Sequence, residues 1–528
     1  MNKKFYVTTP IYYPSGKFHV GTAYSTMLAD TIARYKRQRG YDTFFLTGLD
    51  EHGQKIEEKA KEKNMEPKAY VDEMADMAKE LWKKLDISYD DFIRTTDDFH
   101  VKAVQKIFSY FLKNGDIYLG KYSGKYCVSC ETYVTDSNAK EHDGNCPDCG
   151  KKLKDMEEEA YFFNMEKYRE RLIKYYEDHP NFVLPVYRKN ELFGSFINEG
   201  INDLSVTRTS FSWGIPVEEN SNHVIYVWLD ALTNYITALG FFGNDDEKFK
   251  KYWPADVHII GKDIIRFHAI YWPIFLMALD LPLPKTIYAH NWFVVKDEKM
   301  SKSKGNMIYP EDLTDKYGVD AFKYYILKEI PYDKDGNFSI KSFLENYNYN
   351  LANDLGNLIS RTVGMLNSYR DGKLSEEEIK EILNDEDCKK DIDEFNNILI
   401  EAKNNFEDNF ENFYFSKSIE EIWKAISKIN KYIDENKPWE LFKEETEKTK
   451  KLNTILYNLF EASRKIAILL KPIMEDSTNK IFEALNIENS YRQYGKNNIE
   501  YIGNIEVVNK MEPIFKRLKI DEELKRFK

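Results

Sequence analysis

Two strand–helix–strand stretches lie far apart in this chain, and together they limit its fold more than any other feature. Phe5-Tyr6-Val7-Thr8-Thr9 has strand composition. From about Val20 to Gln38, Ala23, Met27, Thr31 and Tyr35 recur at near-helical spacing, Gly40 closes the helix, and Thr43 to Thr47 supplies the next strand. The same order returns at Val257-His258-Ile259-Ile260, a helix from about Ile264 to Leu279, and a strand from Thr286 to His290. Strands that alternate with helices build parallel sheets, so the economical reading is one α/β sheet whose halves are split by an insertion.

The insertion runs from about 116 to 224, where Gly, Cys, Asp and Lys cluster between short strand-like runs. After about 350 the period becomes helical. Phe415, Ile419, Ile422, Ile426, Ile429 and Ile433 mark one face of a long helix, and Leu452 through Leu470 make another that Pro472 stops. The charged stretch Asp371 to Lys390 reads as a solvated connection. The chain has 528 residues. At about 150 residues per domain that leaves room for roughly three or four packed units.

The start of the chain meets Pro10 and Pro14 before a signal-length apolar core can form, and the longest apolar stretch, Ala269 to Leu279, is interrupted by Pro273. No membrane span is expected. With 76 Lys and Arg against 88 Asp and Glu, the net charge of −12 repels nucleic acid, so a nucleic-acid partner needs a local basic patch. Four of the five cysteines form two C-x-x-C pairs, Cys127/Cys130 and Cys146/Cys149. That usage fits a reducing compartment, the cytoplasm, and the spacing between the pairs fits a four-thiolate zinc site. Two disulfides or redox dithiols are the alternatives. A full thiolate set leaves no open coordination position, so one zinc per chain is expected, in a structural role. His142 reads as a surface histidine and Cys388 as an incidental thiol.

Two further segments carry chemistry. Pro10 to Thr22 leaves the first strand and opens into a helix, where exposed N–H groups and the helix dipole favour a phosphate chain, Gly21 permits close approach, and His19 can donate to a phosphate oxygen. Taken alone, His19 reads first as a routine capping residue, and a lone H-x-G is a weak signal. Far downstream, Lys299-Met300-Ser301-Lys302-Ser303-Lys304-Gly305 sets three lysines in a short loop, suited to neutralising a leaving pyrophosphate; a plain surface turn is the alternative. Neither a Walker A pattern nor G-x-G-x-x-G occurs in the chain.

His19-Val20-Gly21-Thr22 resembles the HIGH motif, and Lys299 to Ser303 spells the KMSKS motif, of class I aminoacyl-tRNA synthetases. The family usually has a second histidine at the position of Thr22. Thr47 to Gly53, Tyr226 to Leu232 and Gly261 to His268 narrow the resemblance to the methionyl-tRNA synthetases, and it runs over nearly the whole chain. The resemblance implies a Rossmann-like catalytic domain in residues 1–115 and 225–290, an inserted zinc-binding connective domain in 116–224, a KMSKS loop and linking domain in 291–350, and a helical anticodon-binding domain in 351–528.

The implied reaction is attack of the methionine carboxylate on the α-phosphate of ATP, with Mg²⁺ as nucleotide counterion, then transfer to the 2′-hydroxyl of the terminal adenosine of initiator or elongator methionine tRNA. Carried over residue by residue, Asp50 would pair with the substrate ammonium. Ile11, Tyr13, Trp228, Ala231, Leu232, Tyr235, Ile264 and His268 would surround the thioether, with Leu232 standing where many relatives have proline. Gly261 and Asp263 would hold the adenosine, and His19, Gly21, Lys299 and Lys302 the phosphates, with His19, Lys299 and Lys302 catalytic. Aromatic and aliphatic walls suit a polarizable thioether independently of the resemblance. The gap from Asp50 to Trp228 is too short for both the cysteine module and a large hydrolytic editing domain.

Asn357, Arg361 and Trp439 resemble the anticodon-reading positions. Trp439 follows Pro438 at a helix break, where it could stack on an unpaired base or, alternatively, pin two helices together. A cysteinyl or leucyl-like synthetase and a non-catalytic tRNA-binding paralogue are the competing functions. The chain ends soon after the helical region, at Lys528, and a monomer is expected.

Overall fold

The computed structural model describes residues 3–127, 132–134, 136–147, 150–295, 298–299, 307–443, 449–495 and 502–527. They form two compact units, one of residues 1–18, 28–33 and 41–290, the other of residues 19–27, 34–40 and 291–528.

The first unit is built on a six-stranded, wholly parallel sheet in the order Asp91–Arg94, Asp42–Leu49, Lys4–Thr8, Val257–Gly261, Ile287–His290, Val183–Leu184. The two expected halves meet edge to edge, with Val7 registered on Val257 and Thr8 on His258. Strand order reverses at this junction, so the crevice beyond Thr8 and Gly261 is where an α/β sheet accepts ligands. The strands are buried on both faces, which is why they read as continuous apolar runs without alternation.

Residues of the expected insertion add a four-stranded antiparallel sheet, Thr132–Val134, Ile117–Cys127, Lys154–Phe163 and Leu204–Ser205. They also give the parallel sheet its outermost strand, Val183–Leu184, which has too few residues to leave a sequence signal. The helix expected from Ile264 to Leu279 is not regular. It begins as a 3₁₀ turn at Lys262–Ile264, widens to π geometry over Phe267–Tyr271, and continues as α-helix over Trp272–Ala278. Pro273 lacks the N–H that would continue a regular ladder, and π turns of this kind recur at functional sites.

In the second unit the helical period holds. All six apolar residues of the marked face are buried in the helix Phe415–Asn436, and Thr449–Leu470 is buried along most of its length. Asp371 to Lys390 is not a solvated connection. Ser375 forms a capping box with Glu378, which starts the helix Glu376–Asn384, and Ile379 and Ile382 share its buried face. The charges that suggested a linker cover the other side. The helix Glu475–Ala484 is the last long one, and the described residues between it and Ile520–Leu524 are largely irregular, so the helical period does not hold to the end. Among the described residues no helix is long and apolar enough to cross a membrane.

Candidate active site and anticodon-reading surface

The chain leaves Lys4–Thr8 through Thr9 and Pro10 and is stitched to its neighbouring strand. The Tyr12 N–H donates to the Gly48 carbonyl at 2.9 Å, and the Asp50 N–H donates to the Tyr12 carbonyl at 3.0 Å. Ile11 and Asp50 are thereby held at the carboxyl ends of adjacent strands. Asp50 is only 7% exposed. Ile11, Trp228 and Ala231 gather with Tyr226 in one apolar cluster, and Ile11, Trp228 and Ile264 also pack on the main core that contains Leu232 and Tyr235. Tyr13 is half-buried, with the Lys55 ammonium 5.5 Å from its ring. The Trp228 indole lies parallel to Phe267, ring centroids 3.5 Å apart.

His268 sits in the π turn. Its Nδ1 faces the Ile264 carbonyl at 3.0 Å and therefore donates, which leaves Nε2 to accept from the Tyr235 hydroxyl at 2.8 Å. Burial lowers its pKa to about 4, so the ring is neutral around pH 7 and adds no charge to the apolar wall. His258 backs the same wall, with Tyr235 stacked on it at 4.1 Å and its Nδ1 2.8 Å from the Thr8 hydroxyl; burial holds it neutral as well. Gly261 closes the central strand. A Cβ there would come within 2.6 Å of the Asp263 carboxylate, so glycine leaves room for that exposed side chain beside the strand end.

Around Asp50 stands a polar framework that sequence reasoning missed. The buried Glu51 carboxylate accepts from Arg94 Nε at 2.7 Å and from the Thr96 hydroxyl at 2.5 Å, while Trp213 Nε1 donates to the Glu51 carbonyl. Asp230 is wholly buried between two histidines, His52 Nδ1 at 2.7 Å and His100 Nε2 at 2.8 Å. Burial alone would raise its pKa, but the two imidazoles outweigh it and hold the carboxyl below its ordinary range. Glu51, His52 and Asp230 stand inside the motif segments already singled out, which is the one signal that could have found them. His100 carried none.

In the second unit His19 caps the helix Val20–Gln38, its Nδ1 accepting from the Gly21 N–H at 3.0 Å. In the neutral ring this places the proton on Nε2, the form that can donate to an anion. A Cβ at Gly21 would lie 2.7 Å from His19 Cε1 and would push the ring away. The Val20 N–H donates to the Ile308 carbonyl at 3.0 Å, which fixes the helix start against the chain just beyond the lysine loop. On the other side of that loop the backbone of Glu298–Lys299 pairs with Phe293–Val295. Lys302 and the rest of the loop from 300 to 306 lie outside the described residues.

The same unit carries the three expected anticodon positions. Asn357 is exposed at the start of the helix Asn357–Arg370, directly after the π-helical stretch Tyr347–Gly356. Arg361, one turn along the same face, bonds Asp434 at 2.7 Å and places its guanidinium 6.0 Å from the Trp439 ring. Trp439 is 36% exposed, so its indole does not serve as a buried pin.

Of the four paired cysteines, Cys130 and Cys149 lie outside the described residues. Cys127 and Cys146 are buried together with Val134, Ala139 and Leu153 in a small satellite core. The Gly150 N–H returns to the Cys146 carbonyl at 2.8 Å with φ at +70°, a tight turn behind the second cysteine pair. Among the described residues no metal-binding cluster of three or more donors is present.

Comparison with known proteins agrees over the whole chain. The family described as tRNA synthetases class I (M) matches residues 5–158 and 149–363, and the anticodon binding domain of methionyl tRNA ligase matches residues 387–528. A methionine–tRNA ligase of Enterococcus faecalis is 50% identical over 98% of this chain and 78% of its own length, and that of Halalkalibacterium halodurans is 48% identical over 100% and 80%. The structure of Mycobacterium tuberculosis methionyl-tRNA synthetase in complex with methionyl-adenylate is similar at a TM-score of 0.91 and 37% identity, covering 98% of this chain and 100% of that one. A parallel sheet whose strand order reverses between Lys4–Thr8 and Val257–Gly261, a helical unit and full-length similarity lead to one assignment: the chain belongs to the methionine–tRNA ligases, class I aminoacyl-tRNA synthetases with a helical anticodon-binding domain.

Proposed function

We propose that the crevice at the carboxyl ends of the parallel strands binds methionine for activation, with Asp50 meeting its ammonium group and Ile11, Tyr13, Trp228, Ala231, Leu232, Tyr235, Ile264 and His268 enclosing its thioether. As a methionine–tRNA ligase, the enzyme joins methionine to ATP, releases pyrophosphate, and passes the methionyl group to tRNA. The observation that carries the pocket assignment is the gathering of Ile11, Trp228 and Ala231 beside the strand end that holds buried Asp50. A single carboxylate fixes the amine, and neutral His268 keeps the remaining wall free of charge for a weakly polar sulfur. The methionine carboxylate then attacks the α-phosphorus, the bond to the bridging oxygen breaks, and pyrophosphate leaves with its electron pair. Gly261 and Asp263 receive the adenosine. His19, Gly21, Lys299 and Lys302 meet the phosphates, whose magnesium counterion travels with ATP. In the transfer that follows, the terminal 2′-hydroxyl of methionine tRNA attacks the adenylate carbonyl, the bond from that carbonyl to the phosphate oxygen breaks, AMP leaves with the electron pair and the hydroxyl proton is released.

The buried pair Cys127 and Cys146 and the turn at Gly150 support a structural zinc held with Cys130 and Cys149, which elemental analysis would count as one per chain. Such a site folds the insertion and leaves the reaction to other residues. The proposed domain boundaries are residues 1–115 with 225–290, 116–224, 291–350 and 351–528, and the paired thiols suit a reducing cytoplasm.

Asn357, Arg361 and Trp439 are proposed to read the anticodon, Trp439 by stacking and the other two at base edges. Phosphate attraction then falls to exposed lysines such as Lys431 and Lys437, which give affinity and salt dependence with little discrimination. Loss of a stacking aromatic costs about 1–3 kcal/mol, so Trp439→Ala should reduce charging of cognate tRNA by roughly 10- to 100-fold. Methionine-dependent ATP–pyrophosphate exchange by the same variant should be unchanged, since that step needs no tRNA. A parallel fall in both assays would make Trp439 a packing residue and withdraw the anticodon assignment.

A further inference from the structure

We propose that Asp230 is a positioning residue for methionine activation, clamping the loop that carries Asp50 to the helix that carries Trp228 and Ala231. The inference rests on the methionine-pocket reading above. Methionine is gripped by two separate elements: its ammonium by the loop after Asp42–Leu49, its side chain by the helix Val227–Thr237. Their relative placement decides where the carboxylate points, and a displacement near 1 Å at a reacting group can cost about 10²-fold in rate.

Asp230 ties these elements together. Its Oδ2 accepts from His52 Nδ1 at 2.7 Å, two residues beyond Asp50, and its Oδ1 accepts from His100 Nε2 at 2.8 Å. Trp228 precedes it by two residues and Ala231 follows it directly. His100, on the helix Asp98–Lys113, is anchored in turn: its Nδ1 lies 2.6 Å from the Thr237 hydroxyl at the far end of the helix that carries Asp230. In a neutral ring whose Nε2 donates to the carboxylate, His100 Nδ1 accepts from that hydroxyl. His52 is 5% exposed, and His100 and Asp230 are both 0% exposed. Charge-assisted bonds in so dry a place are short, directional and stiff. None of the three side chains is needed as a nucleophile, acid or base in carboxylate attack on a phosphate, since the methionine carboxylate arrives ionised. Their geometry points to alignment.

The test is ATP–pyrophosphate exchange by the full-length enzyme, varying methionine at saturating ATP and then ATP at saturating methionine, for Asp230→Asn, His100→Gln, His100→Phe and, as a reference for the pocket itself, Asp50→Asn. Asp230→Asn keeps the shape but can accept from only one histidine; it should raise KM for methionine about tenfold and lower kcat, leaving KM for ATP within about twofold. His100→Phe should shift the methionine KM in the same direction by a smaller factor. His100→Gln places an N–H near the position of Nε2 and should restore it to within about twofold of the parent. An unchanged methionine KM in Asp230→Asn and His100→Phe, beside a raised one in Asp50→Asn, overturns the clamp alone. An unchanged methionine KM in Asp50→Asn overturns the pocket reading on which the clamp rests. Should Asp230→Asn fail to fold, the His100 pair decides, and equal methionine KM values for Gln and Phe overturn the clamp.

Discussion

Asp50→Ala should lower kcat/KM for methionine in ATP–pyrophosphate exchange by about 150- to 5,000-fold. Asp50 is 7% exposed at the end of a buried strand, so an ammonium group that pairs with it would give up most of its water. Removing one partner of a buried ion pair costs about 3–5 kcal/mol because the other charge stays behind uncompensated, and each 1.36 kcal/mol is tenfold in rate. The fold should survive the change. One contact that positions this turn is made by the Asp50 backbone N–H to the Tyr12 carbonyl, which alanine retains, and Glu51 is independently fastened to Arg94 and Thr96. Steady-state exchange with methionine as the varied substrate measures the effect. A loss of less than about threefold would place the ammonium elsewhere.

Lys302→Ala should slow single-turnover formation of methionyl-adenylate by about 10²-fold or more, with methionine KM close to that of the parent. A charge that develops only as pyrophosphate departs is stabilised by a group that acts in the transition state, and loss of one preorganised electrostatic donor typically costs about 10²- to 10³-fold in kcat. The surroundings support the assignment. The Val20 N–H bonds the Ile308 carbonyl, which ties the start of the His19-capped helix to the residues just beyond the lysine loop, and Glu298–Lys299 enters the loop from a strand paired to Phe293–Val295. Equal adenylate rates in parent and variant would reduce the lysines to a surface turn.

What was legible in the sequence, and what was not, follows from the range of the interactions involved. The strands Lys4–Thr8, Asp42–Leu49, Val257–Gly261 and Ile287–His290 are buried on both faces and flanked by helices, so their apolar runs announce a parallel sheet without further information. The helix Phe415–Asn436 repeats its buried face at helical period, and Ser375 with Glu378 holds a capping signal that the charge density around it concealed. Val183–Leu184 leaves no such trace, since its place at the sheet edge is decided by tertiary pairing with Ile287 and Tyr288. The π geometry of Phe267–Tyr271 is not announced either, although Pro273 just beyond it is visible as a break in the apolar run.

The candidate site divides the same way. Asp50, Trp228 and the two signature loops are visible because local motifs carry them. The clamp of His52, Asp230 and His100 joins three distant parts of the chain with no fixed spacing, and only the folded backbone brings them within 3 Å. Trp439 needed the structure for a different reason. Proline followed by tryptophan at a helix break is compatible with packing or with stacking, and the indole's exposure beside Arg361 is what favours stacking.

The most direct measurement is amino-acid-dependent ATP–pyrophosphate exchange by the full-length enzyme, without tRNA, run with each standard amino acid in turn. Methionine should support rapid exchange and the other amino acids little, and Asp50→Ala should abolish most of the methionine signal. Faster exchange with another amino acid, or exchange that begins only when tRNA is added, would contradict the assignment of the crevice at Asp50 and Trp228 as a methionine-activating site.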